Sequence, residues 1–365
     1  MCKIHNTIGS LTTLKDHLHS NGIYEFKSLK EVMEFQKSYD TYRMQLVSQH
    51  EILIKKEKSQ LHADIEKIAA EIENPKQQIE TAINNKIAHF ILLQNNSTEA
   101  NSSNFLHKVK SFIQQQYYKK KISKLKDSID ADIKMVTAPL VTQHQEKNNR
   151  YQFIISNFDG AVKQSCHNEL SRLERKKSTI DSLNSYIYGA LGEQKVVKAL
   201  ESLSDEYHLI NDFSISFSPA IYNKQEDDYI QSIQIDHILI APSGVFLIET
   251  KNWSEQSIEN LSLRSPVDQI KRSAYVLYRL LHQEIGGYRL QLDQHHWGEK
   301  KISIRNLIVL INTKPKGDFQ YVKVLTLNEL VGYVQYLQPI FSNTETQKIA
   351  DFLLLINNQK TIITK

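Results

Sequence analysis

The sequence contains few residues that form turns. It has 11 glycines and 7 prolines in 365 residues, about 5% of the chain where an average protein has roughly 12%. This scarcity argues against a large all-β protein and favours long helices. Cysteine is also rare, with Cys2 and Cys166 alone, too few for a disulfide framework or a four-cysteine zinc site. We therefore expect a protein that folds in a reducing compartment.

The sequence also lacks long hydrophobic runs. The longest, around residues 87–93, is far shorter than the ~18 apolar residues that cross a bilayer. The first residues, Met-Cys-Lys-Ile-His, do not resemble the apolar core of a signal peptide. A chain of 365 residues is long enough for two domains. The sequence thus predicts a soluble, cytoplasmic protein that has no membrane partner.

The basic residues are concentrated in the first half of the chain. The whole sequence carries 45 Lys and Arg against 41 Asp and Glu, a formal net charge of +4. Residues 1–185 contain 27 basic and 21 acidic side chains, whereas residues 186–365 contain 18 and 20. The two halves therefore differ in charge, and they differ in hydrophobic pattern as well.

Residues 1–185 have the hydrophobic pattern of long helices. Apolar residues recur mostly at alternating steps of three and four, as in the seam of a coiled coil. We predict helix breaks at Asn74-Pro75 and at Pro139, and a polar loop over residues 94–104. We interpret residues 1–185 as a helical coiled-coil arm, folded as an antiparallel hairpin or bundle. Such an arm is either a dimerisation or partner-sensing element or a plain stalk.

One stretch of this arm is strongly basic. Seven lysines and no acidic residue lie between Phe105 and Lys126, and Tyr117 and Tyr118 precede the densest part, Lys119-Lys120-Lys121. Lysines neutralise phosphates and tyrosines stack on bases, so this pattern is compatible with nucleic-acid binding. The alternative is an ordinary solvated helix face.

The second half begins with a helix that carries an acid on its apolar stripe. We predict this helix from about Ser182 to Leu200, and Glu193 lies on the stripe formed by Tyr186, Ala190, Val197 and Leu200. A buried carboxylate must be paired, protonated or bound to a cation. The alternative is a glutamate at the edge of the stripe whose carboxylate reaches water.

Two apolar, β-rich runs then flank Pro242-Ser243, a pattern typical of a β-hairpin. With a two-residue loop, Asp236 lies opposite Glu249, and Lys251 lies on the same face as Glu249. Two facing carboxylates in a covered sheet are destabilising unless a positive charge lies between them. A divalent metal ion would supply that charge. A buried carboxylate–lysine ion pair without chemistry is the alternative.

Four short motifs follow one another in this half. They are Gly192-Glu193, Ile235-Asp236-His237, the run from Gly244 through Glu249-Thr250-Lys251 to Trp253, and Ser265-Pro266-Val267-Asp268-Gln269. Together they resemble the NERD (nuclease-related) domain, a branch of the PD-(D/E)XK, restriction-endonuclease-like superfamily. The resemblance covers about Tyr186–Gln338.

The resemblance implies a mixed sheet flanked by helices and a metal-dependent nuclease site. By position, Asp236, Glu249 and the Thr250 carbonyl would bind Mg²⁺ or Mn²⁺, with Glu193 as an outer ligand. Lys251 would orient or deprotonate the attacking water. Gln269 would face the site from the next helix. Two further residues of that helix, Lys271 and Arg272, would either contact phosphates or form an exposed basic face.

The remaining sequence predicts strands at 302–311 and 322–327, helices at 328–336 and 344–355, and a loop at His295-His296-Trp297. We assign a nuclease-like domain to 186–340 and a C-terminal helix that packs on it to 341–365. The expected fold class is mixed α/β, a restriction-endonuclease-like sheet preceded by the all-α arm.

The leading functional hypothesis is an endo- or exonuclease that depends on Mg²⁺ or Mn²⁺. It would hydrolyse the phosphodiester bonds of DNA, in defence against foreign DNA such as that of viruses or in DNA repair. The helical arm would support a homo-oligomer or bind a partner protein. The alternative hypothesis is a non-catalytic module that binds nucleic acid or protein on an inherited nuclease fold.

Overall fold

The computed structural model describes residues 1–96, 105–224, 226–253, 264–292, 300–314 and 319–364. The chain divides into two compact units. One unit comprises residues 1–37 and 175–365, and the other comprises residues 38–174. The predicted loop at His295-His296-Trp297 lies outside the described residues.

The first half of the chain is helical. The helices there are α1 (Gly9–Ser20), α2 (Leu29–Asn96), α3 (Phe105–Ser156) and α4 (Phe158–Ser182). The predicted breaks at Asn74-Pro75 and Pro139 are wrong, because α2 and α3 continue through Pro75 and Pro139. A proline inside a helix removes one backbone hydrogen bond and costs about 3 kcal/mol, which the many other turns of a long helix offset.

Helices α2 and α3 run antiparallel in the helical unit. Arg150 donates hydrogen bonds to Glu57 at 2.8 and 3.0 Å, and Lys147 lies 2.6 Å from Asp64. Farther along, the ring of Phe90 stacks on that of Tyr118. Residues with higher numbers in α2 thus contact residues with lower numbers in α3, as expected for two antiparallel helices. The predicted loop 94–104 is only partly described: α2 extends to Asn96, and residues 97–104 lie outside the description.

The other unit is built on a mixed sheet. Its strands are β1 (Lys3–His5), β2 (His208–Asn223), β3 (Asp228–Ala241), β4 (Gly244–Lys251), β5 (Ile304–Leu310), β6 (Val322–Thr326) and β7 (Thr361–Ile363). The order is β1-β2-β3-β4-β5-β6, and β7 pairs with β2. The pairs β2–β3 and β3–β4 are antiparallel, and the others are parallel. The expected mixed α/β class is confirmed.

Helices cover both faces of this sheet. They are α5 (Asn184–Leu200), α6 (Arg264–His282), α7 (Leu327–Tyr336) and α8 (Asn343–Gln359). Helices α6 and α8 pack on the face that contains Ile238 and Leu247. Helices α5 and α7 pack on the opposite face, which contains Leu239 and Ile248. Because successive strand residues alternate between faces, both central strands are apolar on both sides.

The hairpin between β3 and β4 has the predicted register. Ala241 pairs with Gly244, and His237 pairs with Ile248, so Pro242-Ser243 is a two-residue loop. Gly244 has φ +135°, and a Cβ at this position would lie 2.7 Å from the Ser303 carbonyl oxygen. This position therefore requires glycine.

The first 37 residues belong to the sheet unit, which differs from the predicted arm of 1–185. Strand β1 pairs in parallel with the start of β2, and α1 packs on α5. A three-residue strand and a helix of 12 residues are too short for a clear hydrophobic period. In the described part of the chain, no helix has the length and hydrophobicity that a membrane crossing requires.

Candidate active site

Two carboxylates lie side by side on adjacent antiparallel strands. His237 pairs with Ile248, so the next step of the ladder places Asp236 opposite Glu249. Asp236 lies two residues before Ile238, and Glu249 lies two residues after Leu247. Because side chains two residues apart lie on the same face of a strand, both carboxylates face the layer of α6 and α8. Glu249 is 4% exposed. The sheet thus brings two acidic side chains to one covered position.

One lysine and one glutamine contact Glu249. The Lys251 ammonium donates to Glu249 Oε1 at 2.7 Å, and the Gln269 amide donates to Glu249 Oε2 at 3.5 Å. Lys251 is two residues along β4, and Gln269 comes from the second turn of α6. This helix begins at Arg264, one residue before the motif Ser265-Pro266-Val267-Asp268-Gln269. The structure therefore brings three predicted site residues, Asp236, Lys251 and Gln269, next to Glu249.

Asp236 is held by the backbone of the neighbouring strand. The Thr250 N–H donates to Asp236 Oδ2 at 2.8 Å. Burial, and then the charges of Glu249 and Glu193, raise the pKa of Asp236 well above its ordinary value, against the opposing effects of the Thr250 N–H and Lys251. Without an added cation, Asp236 therefore favours its protonated form. A ligand role for the Thr250 carbonyl stays a prediction.

Gly192 explains how Glu193 approaches this position. A Cβ on Gly192 would lie 3.0 Å from Asn252 Cβ and 3.2 Å from Thr250 Cγ2. The absence of a side chain lets α5 lie close to the end of β4. The Asn252 amide also donates to the Tyr188 carbonyl at 2.8 Å. These contacts place the next residue, Glu193, beside the end of the strand that carries Glu249.

Glu193 is buried and is bound by a residue that sequence reasoning missed. The Ser10 hydroxyl donates to Glu193 Oε1, and the Ser10 N–H donates to Oε2 at 3.4 Å. Burial raises the pKa of Glu193, the Ser10 hydrogen bonds lower it, and the charges of Asp212 and Glu249 raise it further. Glu193 thus lies within electrostatic reach of the carboxylate pair. No motif around Ser10 signals this contact.

A second missed contact lies directly behind Asp236. His237 is fully buried on the α5 side of the sheet, and its Nδ1 lies 2.7 Å from Asn211 Oδ1. Burial lowers the pKa of His237 to about 3, so the ring is neutral at pH 7. A neutral ring that binds Asn211 stabilises β3 against β2 next to the site.

The remaining predicted residues lie elsewhere. Arg272 on α6 forms an ion pair with Asp228 at 2.6 Å, and Lys271 is partly exposed on the same helix. The arm lysines Lys119, Lys120 and Lys121 belong to the helical unit and are exposed. The Lys121 ammonium lies 5.0 Å from the centre of the Phe90 ring, a cation–π contact.

The donor set at the carboxylate pair fits a hard divalent cation. Among the described residues, Asp236 accepts a hydrogen bond at Oδ2 alone, so its Oδ1 can bind a cation. The positive charge of a cation would also relieve the repulsion between the two carboxylates. The described residues contain no group of three or more His, Cys, Asp or Glu side chains placed to hold a metal. Mg²⁺ and similar ions bind one or two carboxylates and complete their shell with water and substrate phosphate. Two carboxylates therefore suffice.

These features define a mixed α/β domain with a carboxylate–lysine site beside its opening helix. Residues 188–311 match the family model of the nuclease-related domain, NERD. The chain thus carries a nuclease-related domain and a helical N-terminal region. The match includes Glu193, Asp236, Glu249, Lys251 and Gln269, whereas Ser10 lies outside it. No curated protein and no solved structure matches the chain.

The raised pKa of Asp236 predicts how the stability of an Asp236→Asn variant changes with pH. In metal-free protein the folded state keeps this proton above the ordinary pKa of 3.8, whereas the unfolded state releases it. The contribution of Asp236 to wild-type stability therefore falls as pH rises through this range. Asn cannot ionise, so the unfolding free energy of the variant, relative to wild type, should rise with pH.

Urea unfolding at pH values from about 5 to about 8, with a chelator present, measures this difference. The lowered pKa values of His208 and His237 act in the opposite direction, but they are common to both proteins and cancel in the comparison. A difference that does not change with pH would contradict the raised pKa of Asp236.

Proposed function

We propose that the protein is a Mg²⁺- or Mn²⁺-dependent nuclease that hydrolyses phosphodiester bonds of DNA. The observation that carries this proposal is the pair of facing carboxylates, Asp236 and Glu249, with Lys251 beside them and Gln269 above. The match of residues 188–311 to the nuclease-related domain supports the reaction class. Such an activity would serve defence against foreign DNA or DNA repair.

Asp236 and Glu249 would hold the metal ion, and Glu193 would add negative charge from the opposite layer of the sheet. A bound Mg²⁺ or Mn²⁺ lowers the pKa of water and neutralises charge that develops on the phosphate. The Thr250 N–H keeps Asp236 Oδ2 in place, which leaves the other oxygen for the ion. Gln269 fixes the orientation of Glu249 Oε2.

Lys251 would act on the substrate. Its ammonium lies 2.7 Å from Glu249 Oε1, so it is held beside the carboxylate pair on the same strand. A fixed positive charge at this point stabilises negative charge on a phosphate oxygen without reorganisation during the reaction. Its N–H groups also orient the attacking water.

One observation favours the alternative of a non-catalytic interaction module. Both oxygens of Glu249 already accept hydrogen bonds, from Lys251 and from Gln269, as in a purely structural ion pair. In that case the sheet unit would bind nucleic acid or protein without cutting it. The proposed nuclease is favoured because a structural pair needs one carboxylate, and Asp236 adds a second that raises the energy of the metal-free fold.

Incubation of the purified full chain with DNA and RNA tests the proposal. Single-stranded, duplex and branched substrates are each mixed with the protein in Mg²⁺, in Mn²⁺ and in chelator. We expect DNA cleavage in either metal and none in chelator. Binding of the same substrates without cleavage under every metal condition would support the interaction module instead.

A further inference from the structure

A large groove lies beside the candidate active site in the sheet unit. It encloses about 1930 Å³ between α6, the β2–β3 hairpin and the first residues of β5 and β6. Gln269 lines the groove and also donates to Glu249, so one part of the groove adjoins the carboxylate pair. Pockets for small molecules measure roughly 300–1,000 Å³. The groove is therefore large enough for several units of a polymer.

The charges along the groove nearly balance. Arg272 is paired with Asp228, and Arg305 donates to the Ser243 carbonyl at 2.9 Å. Among the described residues, the side chains of the two other lining cations, Lys271 and Lys323, form neither an ion pair nor a hydrogen bond. The lining also includes three acids, Glu226, Asp228 and Asp268. Duplex DNA is bound chiefly through its dense phosphate charge, so this lining is poorly suited to a duplex.

Tyrosines line the same groove. Tyr278 is 48% exposed and Tyr321 is 78% exposed. The Tyr278 ring stacks on that of His282 at 4.2 Å between centroids, and the Tyr275 hydroxyl donates to the Tyr222 carbonyl at 3.2 Å. Exposed aromatic rings stack on unpaired bases and tolerate any base sequence. Bases in a duplex are already stacked on one another and do not offer their faces.

Tyr321 is the third residue of a tight turn, which is closed by a hydrogen bond from the Val322 N–H to the Phe319 carbonyl at 3.3 Å. Its φ is +65°, the left-handed region, where a bulky residue is disfavoured by about 1 kcal/mol or more. The Asn306 amide donates to the Tyr321 carbonyl at 3.1 Å and holds this turn in place before β6. The exposed ring gains no burial from the conformation. The turn places Tyr321 among the residues that line the groove.

From these observations we propose that the groove binds single-stranded nucleic acid, with Tyr321 and Tyr278 as stacking platforms. Lys271 and Lys323 contact phosphates of the bound strand. The strand reaches the carboxylate pair at Gln269, which lines the groove and donates to Glu249. This inference rests on the proposed nuclease function and adds the strand form of its substrate.

The test measures binding apart from cleavage. The full chain with Glu249→Gln is titrated, in chelator, into a labelled oligonucleotide of about 12 nucleotides and into the duplex of the same sequence. Fluorescence anisotropy reports the two affinities. We expect Tyr321→Asn to weaken single-strand binding about tenfold and duplex binding less than twofold, whereas Tyr321→Phe keeps the ring and the affinity. Asn is chosen because it tolerates a positive φ.

Tyr336→Asn is the matched control, because Tyr336 is an exposed tyrosine of α7 that does not line the groove. Its affinities should equal those of the parent. Unchanged single-strand binding in Tyr321→Asn, or equal losses for strand and duplex, would overturn the inference. The wild-type protein could also bind single strands in a way that depends on Tyr321 and yet cleave nothing in Mg²⁺ or Mn²⁺. That result would support single-strand binding in the groove and contradict the proposed nuclease function.

Discussion

Replacing Glu249 by Gln, or Lys251 by Ala, is expected to lower DNA cleavage by a factor of about 1,000 or more. Glu249→Gln keeps the shape of the side chain and an oxygen that accepts from Lys251, but it removes the charge that attracts the metal ion. Lys251→Ala keeps both carboxylates and removes the positive charge next to the phosphate. Cleavage in saturating Mn²⁺, measured with equal amounts of folded protein, checks both variants.

The chain contains a second buried carboxylate–lysine pair that serves as a matched control. Lys300 and Glu345 lie 2.8 Å apart, with side-chain exposures of 25% and 3%, against 24% and 5% for Lys251 and Glu249. Although burial raises the pKa of Glu345, hydrogen bonds from Lys300 and Ser342 lower it overall, as expected for a structural pair. Lys300→Ala should destabilise the fold and leave cleavage per folded molecule unchanged.

Thermal melting separates the metal site from a structural ion pair. If Glu249 binds metal, Mg²⁺ or Mn²⁺ should raise the melting temperature of wild type, and Glu249→Gln should abolish this rise while its metal-free melting temperature holds or increases. A wild type without any metal-linked shift, together with a lower melting temperature for Glu249→Gln, would show that the pair is structural.

The central hairpin could be predicted from sequence because its signals are local. The turn at Pro242-Ser243 and the apolar alternation on both sides fix the register, and that register alone places Asp236 opposite Glu249. Gln269 could be placed by the family resemblance of the motif Ser265-Pro266-Val267-Asp268-Gln269, which follows the hairpin closely in sequence. In both cases the deciding residues lie within about 20 positions of one another.

The contacts of Ser10 could not be predicted in this way. Ser10 and Glu193 are 183 positions apart, and β1 and α1 are too short to show a clear period. Strand β2 also escaped detection; its pairing with β3 shifts register between Ser216 and Ile221, which interrupts the two-residue alternation. Pro75 and Pro139 misled the prediction in the opposite direction, because helix packing outweighed a local preference.

The second large effect is expected in the helical arm. Residues 74–96 and 105–126 contain nine lysines and one acid, Glu80. Lys119 and Lys120 are exposed, and Lys121 lies over the rings of Phe90 and Tyr117. If this region binds nucleic acid, replacing Lys119, Lys120 and Lys121 by Gln should weaken binding to every sequence. It should also reduce the slope of log affinity against log salt by up to about three units.

The control is a variant in which Lys55, Lys56 and Lys58 are replaced by Gln, which gives the same change in charge. These three residues lie on a part of α2 that is remote in sequence from the basic stretch. A general loss of net charge would change both salt slopes equally, whereas a phosphate-binding surface predicts that the slope changes only for Lys119–Lys121. Cleavage at saturating DNA should survive in both variants, because the carboxylate pair is unaltered. An unchanged slope in the Lys119–Lys121 variant would identify the basic stretch as a solvated helix face.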